Sequence, residues 1–266
     1  MNNLANSQAA KLIWENWTKN SRLEILPEYC RPMTRQDGYR CQSKLPEASG
    51  RKVLGWKIAA TSPMGQAHIN VNGPLAGRIL SGQIFQDGGE VSLVGNWMRV
   101  AEPEIAFCLN STLVSRDLEY SEDEVMQAVG SLHPSIELPN SRFKIFTTAG
   151  EAQLLADNAC AHQFILGSQS LDHWKNLDLS KHSVSAKVIS ENGDELEREG
   201  SGANVLGDPR KALTWLVNEL SSQGISLNAG EFITTGTCMA PLEITLGDFV
   251  AADFGMLGKV SFRFTK

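Results

Sequence analysis

Arg99-Val-Ala-Glu-Pro-Glu-Ile-Ala-Phe-Cys-Leu109 is the stretch whose reading decides the fold. Side chains alternate along a strand. This run therefore puts Val100, Glu102, Glu104, Ala106 and Cys108 on one face, and Ala101, Ile105, Phe107 and Leu109 on the other. The second set is a core face. On the first, two carboxylates project side by side from Cα atoms roughly 6.5–7 Å apart at the normal strand rise. A wet strand face also shows acids, so Glu-x-Glu alone assigns no site. The small Ala106 and Cys108 that follow do not resemble a solvated surface, and two buried like charges need a cation or a proton to coexist. Pro103 cannot donate to a ladder and predicts an edge or a bulge here.

The same texture, short strand-like runs parted by Gly and Pro, extends outward from Arg51 almost to Lys266. Ahead of it the pattern is helical. Leu12, Ile13 and Trp17 share one side of a helix running from about Ala5 to Asn20, and Thr34 caps a second running toward Ala48, closed by Ser49-Gly50. The expected class is α+β, with a helical N-terminal portion over residues 1–50 and a β-rich body over 51–266. Inside the body, Ser121-Glu-Asp-Glu124 is a capping box and Asp208-Pro209 opens a helix that Gly224 closes. Asn192-Gly193 turns a hairpin.

Composition excludes several classes. A net charge of -6 without any basic run argues against a nucleic-acid partner. No apolar run is long enough to span a bilayer, and the N-terminus lacks a signal-peptide pattern. The five cysteines are scattered without Cys-x-x-Cys spacing, as expected of reduced thiols in a cytoplasm. No Gly-x-Ser-x-Gly elbow, phosphate loop or dinucleotide fingerprint is present.

Two further charges stand out. Glu137 is a lone acid in the apolar run His133-Pro-Ser-Ile-Glu-Leu-Pro139; it reads either as a third metal ligand or as the partner of Arg142. Three carboxylates with open positions suit Mg²⁺ or Mn²⁺, which prefer oxygen. Lys57, in Leu54-Gly-Trp-Lys-Ile-Ala-Ala60, shares a strand face with the small Gly55 and Ala59. That leaves either room for a ligand beside the ammonium or a snorkelling lysine on a half-exposed strand. His133 lies near enough in sequence to reach the same site, whereas His68, His162, His173 and His182 show no ligand spacing and read as structural or surface residues.

Taken in order, Gly55-Trp-Lys-Ile-Ala-Ala-Thr61, Glu102-Pro-Glu-Ile-Ala-Phe107, Ile136-Glu-Leu-Pro-Asn-Ser-Arg142, Ala156-Asp-Asn-Ala159 and Asp253-Phe-Gly-Met-Leu-Gly258 resemble the 2-keto-4-pentenoate hydratase family of the fumarylacetoacetate hydrolase superfamily. The resemblance runs from about Leu12 to Phe264. It implies a mixed β-sandwich roll with a helical N-terminal portion, usually in homo-oligomers. It also implies that Glu102, Glu104 and Glu137 are metal ligands and that Lys57 is the active-site lysine. Members hydrate 2-hydroxy-2,4-dienoates to 4-hydroxy-2-oxo acids in aromatic compound degradation; close relatives decarboxylate 4-oxalocrotonate-like diacids or hydrolyse acylpyruvate-type C–C bonds. A non-catalytic partner subunit is the rival from another class, although it would have no need of all four residues. Three departures bear on the substrate. Asn72-Gly73-Pro74-Leu75 stands where several hydratases carry an acid, Asn140 stands where many members have Asp, and Thr235-Gly-Thr-Cys-Met-Ala240 replaces a more usual Gly-Ser-Leu-Thr run.

Overall fold

Alternating apolar runs become thirteen strands among the described residues: β1 (Val53–Ala59), β2 (Leu75–Leu80), β3 (Ile84–Gln86), β4 (Gly89–Val91), β5 (Val100–Leu109), β6 (Val129–Leu138), β7 (Gln163–Leu166), β8 (Ser183–Ile189), β9 (Glu195–Ser201), β10 (Phe232–Thr237), β11 (Leu242–Glu243), β12 (Phe249–Asp253) and β13 (Lys259–Phe264). The helices are α1 (Asn3–Thr18), α2 (Arg35–Gln42), α3 (Leu45–Ser49), α4 (Pro63–Ile69), α5 (Glu122–Gln127), α6 (Glu151–Ala156) and α7 (Pro209–Ser222). The class is α+β. The computed structural model describes residues 1–265, the side chain of Asp172 excepted, so Lys266 at the end of the β-rich stretch lies outside the described residues.

The larger sheet runs β2-β1-β10-β5-β6-β7-β3, with β11 continuing beside β5, and the smaller runs β4-β13-β12-β8-β9. Both are mixed: β1 is parallel to β10, β3 to β7 and β4 to β13, while the other pairings are antiparallel. The two end strands of the larger sheet's path, β2 and β3, are consecutive in the chain and joined only by residues 81–83. The four Cα steps from Leu80 to Ile84 reach about 14 Å at most, so the sheet has to curl until its edges approach. Its outer face carries Ile105, Phe107, Leu132, Ile136 and Ile233. These form one core cluster with Val184, Val188, Val250 and Phe262 of the smaller sheet and with Leu213, Leu216, Val217 and Leu220 of α7. The concave face carries the acids and the lysine.

A second, smaller cluster joins Ala9, Ala10 and Ile13 of α1 to Cys41, Leu45, Phe143 and Ala156. The single helix expected from Thr34 toward Ala48 is two. Thr34 does cap α2, its side chain accepting from the amide of Asp37. Pro46 then falls at the start of α3, where a proline lacks the N–H and crowds the preceding turn, so the chain breaks at Ser43-Lys44. The capping box at Ser121 and Glu124, the Asp208 cap and the β8–β9 hairpin all form as the sequence indicates.

Of the two outcomes that Pro103 allows, an edge or a bulge, the bulge is the one found. Pro103 is no edge residue: β5 lies between β6 and β10 in the middle of the sheet. The β10 register slips by one residue between Thr234 and Thr237, opposite Ala106 and Glu104, and beyond it β5 pairs with β11 instead. Among the described residues no helix is long and apolar enough to cross a membrane.

Candidate active site

Glu102 on β5 pairs directly with Glu137 on β6, and Glu104 pairs with Ser135. Paired residues share a face, so the sheet itself delivers the third carboxylate to the first two. One oxygen from each of Glu102, Glu104 and Glu137 lies within 4.8 Å of the others. Glu104 is wholly buried, Glu137 nearly so, and Glu102 half-buried. The Arg142 alternative for Glu137 is excluded, because Arg142 is committed elsewhere.

Lys57 arrives from β1, three strands from β6. Flat, that separation is about 14 Å at normal strand spacing; yet Lys57 Nζ stands 3.1 Å from Glu137 Oε2. Curling of the sheet closes the gap. Lys57 is 2% exposed, which rules out the snorkelling alternative. Its Nζ also donates to the carbonyl of Ala159 at 3.1 Å. An ammonium has three N–H donors; Ala159 engages one and Glu137 is met as an ion pair, so donors remain for a ligand. Gly77 pairs with Lys57 across β2, and a Cβ there would collide with Asn158 O and lie 3.2 Å from Lys57 Cδ, so the lysine's stem needs a glycine beside it.

Three acids and one lysine carry a net -2 when all are ionised, and the fold resists that charge. Burial raises the carboxyls of all three glutamates, and Glu137 raises Glu102 and Glu104 further. Glu102 is pushed up to about 7. For Lys57, burial is the largest single influence and pulls the ammonium toward neutrality. Glu137, Glu102 and Glu104 together outweigh it, so the lysine holds its proton more firmly than usual.

The donor set fits a divalent cation. Glu104 Oε2 accepts from the Thr234 hydroxyl and, at 2.7 Å, from the amide of Gly236, while Glu104 Oε1 is buried with no hydrogen-bond partner. Glu137 Oε2 has only the ion pair with Lys57, whose angles fall short of a hydrogen bond. Unpartnered buried carboxylate oxygens cost several kcal/mol as ions, and a +2 charge would cancel the excess.

The structure adds residues that spacing does not reveal. Arg142 (1% exposed) donates to Asp157 Oδ1 at 2.5 Å, to the carbonyls of Asn140 and Ala161 at 2.6 and 2.9 Å, and to that of Asp157. It stacks over Trp17 of α1. This staple holds a turn in which Asn158, Ala159 and Cys160 all have positive φ, a conformation that costs a non-glycine residue about 1–2 kcal/mol. The turn is what aims the Ala159 carbonyl at Lys57. Asn158 anchors it by clamping both backbone groups of Arg78. His162, expected to be structural or on the surface, lines the small cavity beside Lys57, Glu137 and Thr234, and its imidazole is pushed down to about 3 by burial and the charge of Arg142. His133 does not reach the carboxylates: its ring nitrogens engage Ser131 and the carbonyl of Gly167. Asn140 has its own reason to be an amide, since it accepts from the amide of Trp97 and donates to the carbonyl of Gly95. An aspartate could not do the second.

No family profile matches the chain. Individual proteins do. A 2-hydroxyhexa-2,4-dienoate hydratase of Comamonas testosteroni is 33% identical over 239 residues, 88% of either chain. A 4-oxalocrotonate decarboxylase of Pseudomonas sp. (strain CF600) is 32% identical over 87% of this chain and 86% of its own. Among solved structures, the 4-oxalocrotonate decarboxylase from Pseudomonas putida G7, complexed with magnesium and adipate, superposes with a TM-score of 0.86 at 27% identity, covering 99% of this chain and 98% of that one. Fold, curled sheet and sequence agree: the chain belongs to the 2-keto-4-pentenoate hydratase family of the fumarylacetoacetate hydrolase superfamily. It is an enzyme of the hydratase type.

Proposed function

We propose that this protein is a Mg²⁺- or Mn²⁺-dependent hydratase that adds water to a 2-hydroxy-2,4-dienoate to give a 4-hydroxy-2-oxo acid. The observation that carries the reading is the convergence of Glu102, Glu104 and Glu137 with Lys57 on the concave face of the larger sheet, with Glu104 Oε1 buried and unpartnered. Glu102, Glu104 and Glu137 would hold the cation, which would supply Lewis-acid stabilisation of the negative charge that develops on the substrate. The finer expectations join this reading: the fold is the mixed β-sandwich roll, with the helical portion over residues 1–50 and the catalytic domain over 51–266, and the protein works as a cytoplasmic homo-oligomer on a small acid, without nucleic acid or membrane.

Lys57 serves as proton donor. Protonation of the dienol at C5 gives an α,β-unsaturated ketone, to which water adds at C4. Lys57 suits the first step because the three acids keep its ammonium charged and because Ala159 takes only one of its N–H groups. Glu137 and the Ala159 carbonyl orient that donor, and Arg142 and Asn158 hold Ala159 in place.

Decarboxylation of a 4-oxalocrotonate-type diacid is the second reading, favoured by the match to the decarboxylases at nearly equal identity. Incubation of the Mg²⁺-loaded enzyme with a 2-hydroxy-2,4-dienoate and, separately, with a 4-oxalocrotonate-type diacid distinguishes the two. The expected product is the 4-hydroxy-2-oxo acid from the dienoate, identified by mass gain of one water. Release of CO₂ from the diacid with no hydration of the dienoate would move the assignment to decarboxylase, and two carboxylic fragments from an acylpyruvate would move it to C–C hydrolase.

A further inference from the structure

The β10 bulge does something the carboxylate cluster alone does not require. Thr234 pairs with Ala106 and Thr237 with Glu104, so the strand spends three steps where β5 spends two. The extra residue is accommodated at Gly236, whose φ of +106° is open to glycine and whose missing Cβ leaves room for the side chain of Thr61. The displaced backbone turns the Gly236 amide onto Glu104 Oε2, where the Thr234 hydroxyl already donates. Two donors therefore occupy one oxygen of a fully buried carboxylate, and the other oxygen has none. On the other side, the hydroxyl of Ser135 donates to the backbone carbonyl of Glu104 at 2.9 Å. Both the side chain and the main chain of this residue are thus held.

We propose that Thr234 is a positioning residue which, with the Gly236 amide, fixes Glu104 as a one-oxygen ligand and so biases the site toward a small octahedral cation over Ca²⁺. The inference rests on the metal reading above. Its physical basis is geometric. Mg²⁺ demands near-ideal octahedral geometry at short distances and takes carboxylates one oxygen at a time, whereas Ca²⁺ accepts six to eight oxygens and readily binds a carboxylate through both. A carboxylate with one oxygen tied to a hydroxyl and an amide cannot offer both. Outer-shell hydrogen bonds of this kind typically change metal affinity by roughly 10- to 100-fold.

The test is calorimetric titration of the metal-depleted protein with Mg²⁺ and with Ca²⁺, for the wild type, Thr234→Val and Thr234→Ser. Valine keeps the shape and removes the donor. Mg²⁺ affinity of Thr234→Val is expected to fall by roughly 10- to 100-fold, Ca²⁺ affinity to fall less, and the Mg²⁺/Ca²⁺ preference to shrink accordingly. Thr234→Ser, which retains the hydroxyl, is expected to keep the wild-type preference. Thermal unfolding in chelator checks the fold, and Thr234→Ala replaces the valine variant should that one fail to fold. An unchanged Mg²⁺ affinity, or an equal loss for both ions, overturns the proposal while leaving the metal reading intact. A wild-type protein that binds neither ion overturns both.

Discussion

Glu104→Gln is expected to abolish turnover and weaken Mg²⁺ binding by more than the roughly 100-fold that loss of an outer-shell partner can cost, yet to make the metal-free protein more stable. The two effects have one cause. Burial and the charges of Glu137 and Glu102 raise the Glu104 carboxyl well above its ordinary range, and Glu102 is pushed from 4.5 to about 7. A carboxyl whose pKa is higher in the fold than in the unfolded chain binds its proton more tightly in the fold. For Glu102 that contribution is complete below about pH 4.5 and is lost as pH rises through about 7; for Glu104 it is likewise lost only above the ordinary carboxylate range. Above that window the metal-free wild type carries buried, repelling charge. The Glu104→Gln substitution relieves it, while the new amide oxygen still accepts from Thr234 and Gly236. Thermal unfolding at pH 8 with chelator, then with Mg²⁺, reads both signs. The wild type should gain from Mg²⁺ and the variant should not. A Glu104→Gln protein less stable than wild type in chelator would contradict the electrostatic account, and one with full Mg²⁺ stabilisation would remove Glu104 from the ligand set.

Lys57→Met is expected to lower the catalytic constant by roughly 10²–10⁴ with little change in the Michaelis constant, the signature of a lost proton transfer. The competing role is anchorage of the substrate carboxylate, for which the Michaelis constant should rise instead. Geometry favours the first. Lys57 Nζ is already paired with Glu137 and donates to the Ala159 carbonyl, each at 3.1 Å, so its charge is met within the protein and is not left open for a substrate carboxylate. Methionine matches the stem's length without the ammonium, so the space beside Gly77 stays filled. Steady-state kinetics across a range of pH decides. A large rise in the Michaelis constant at unchanged turnover would make Lys57 an anchor, and unchanged values of both would take it out of the mechanism.

The parts of the site legible in the sequence are those carried by period-two alternation. The faces of β5 follow directly from Ile105, Phe107 and Leu109, and with them the neighbourhood of Glu102 and Glu104. What alternation cannot give is which strand lies beside which. Glu137 opposite Glu102, and Lys57 within reach of Glu137, arise from pairings between residues far apart in the chain and from the curl that the short β2–β3 link imposes. Family likeness, not spacing, linked those residues beforehand. Pro103 allowed an edge or a bulge, and the bulge is what forms, because a missing N–H can be spared where a central strand changes partners. The left-handed turn at Asn158, Ala159 and Cys160 has no local signature, since none of the three is glycine; its stability comes from Arg142 and Asp157, buried together. The use of Gly236, aiming an amide at Glu104, depends on the β5 register and is not visible in the sequence.

The central claim is that three carboxylates hold a divalent cation on which dienoate hydration depends. The most direct measurement is hydration of a 2-hydroxy-2,4-dienoate by enzyme stripped with chelator and then titrated with Mg²⁺ or Mn²⁺. The expected result is loss of turnover on stripping and full recovery on titration, with no recovery for Glu102→Gln, Glu104→Gln or Glu137→Gln. Undiminished turnover in the metal-depleted wild type, or recovery in all three variants, would contradict it.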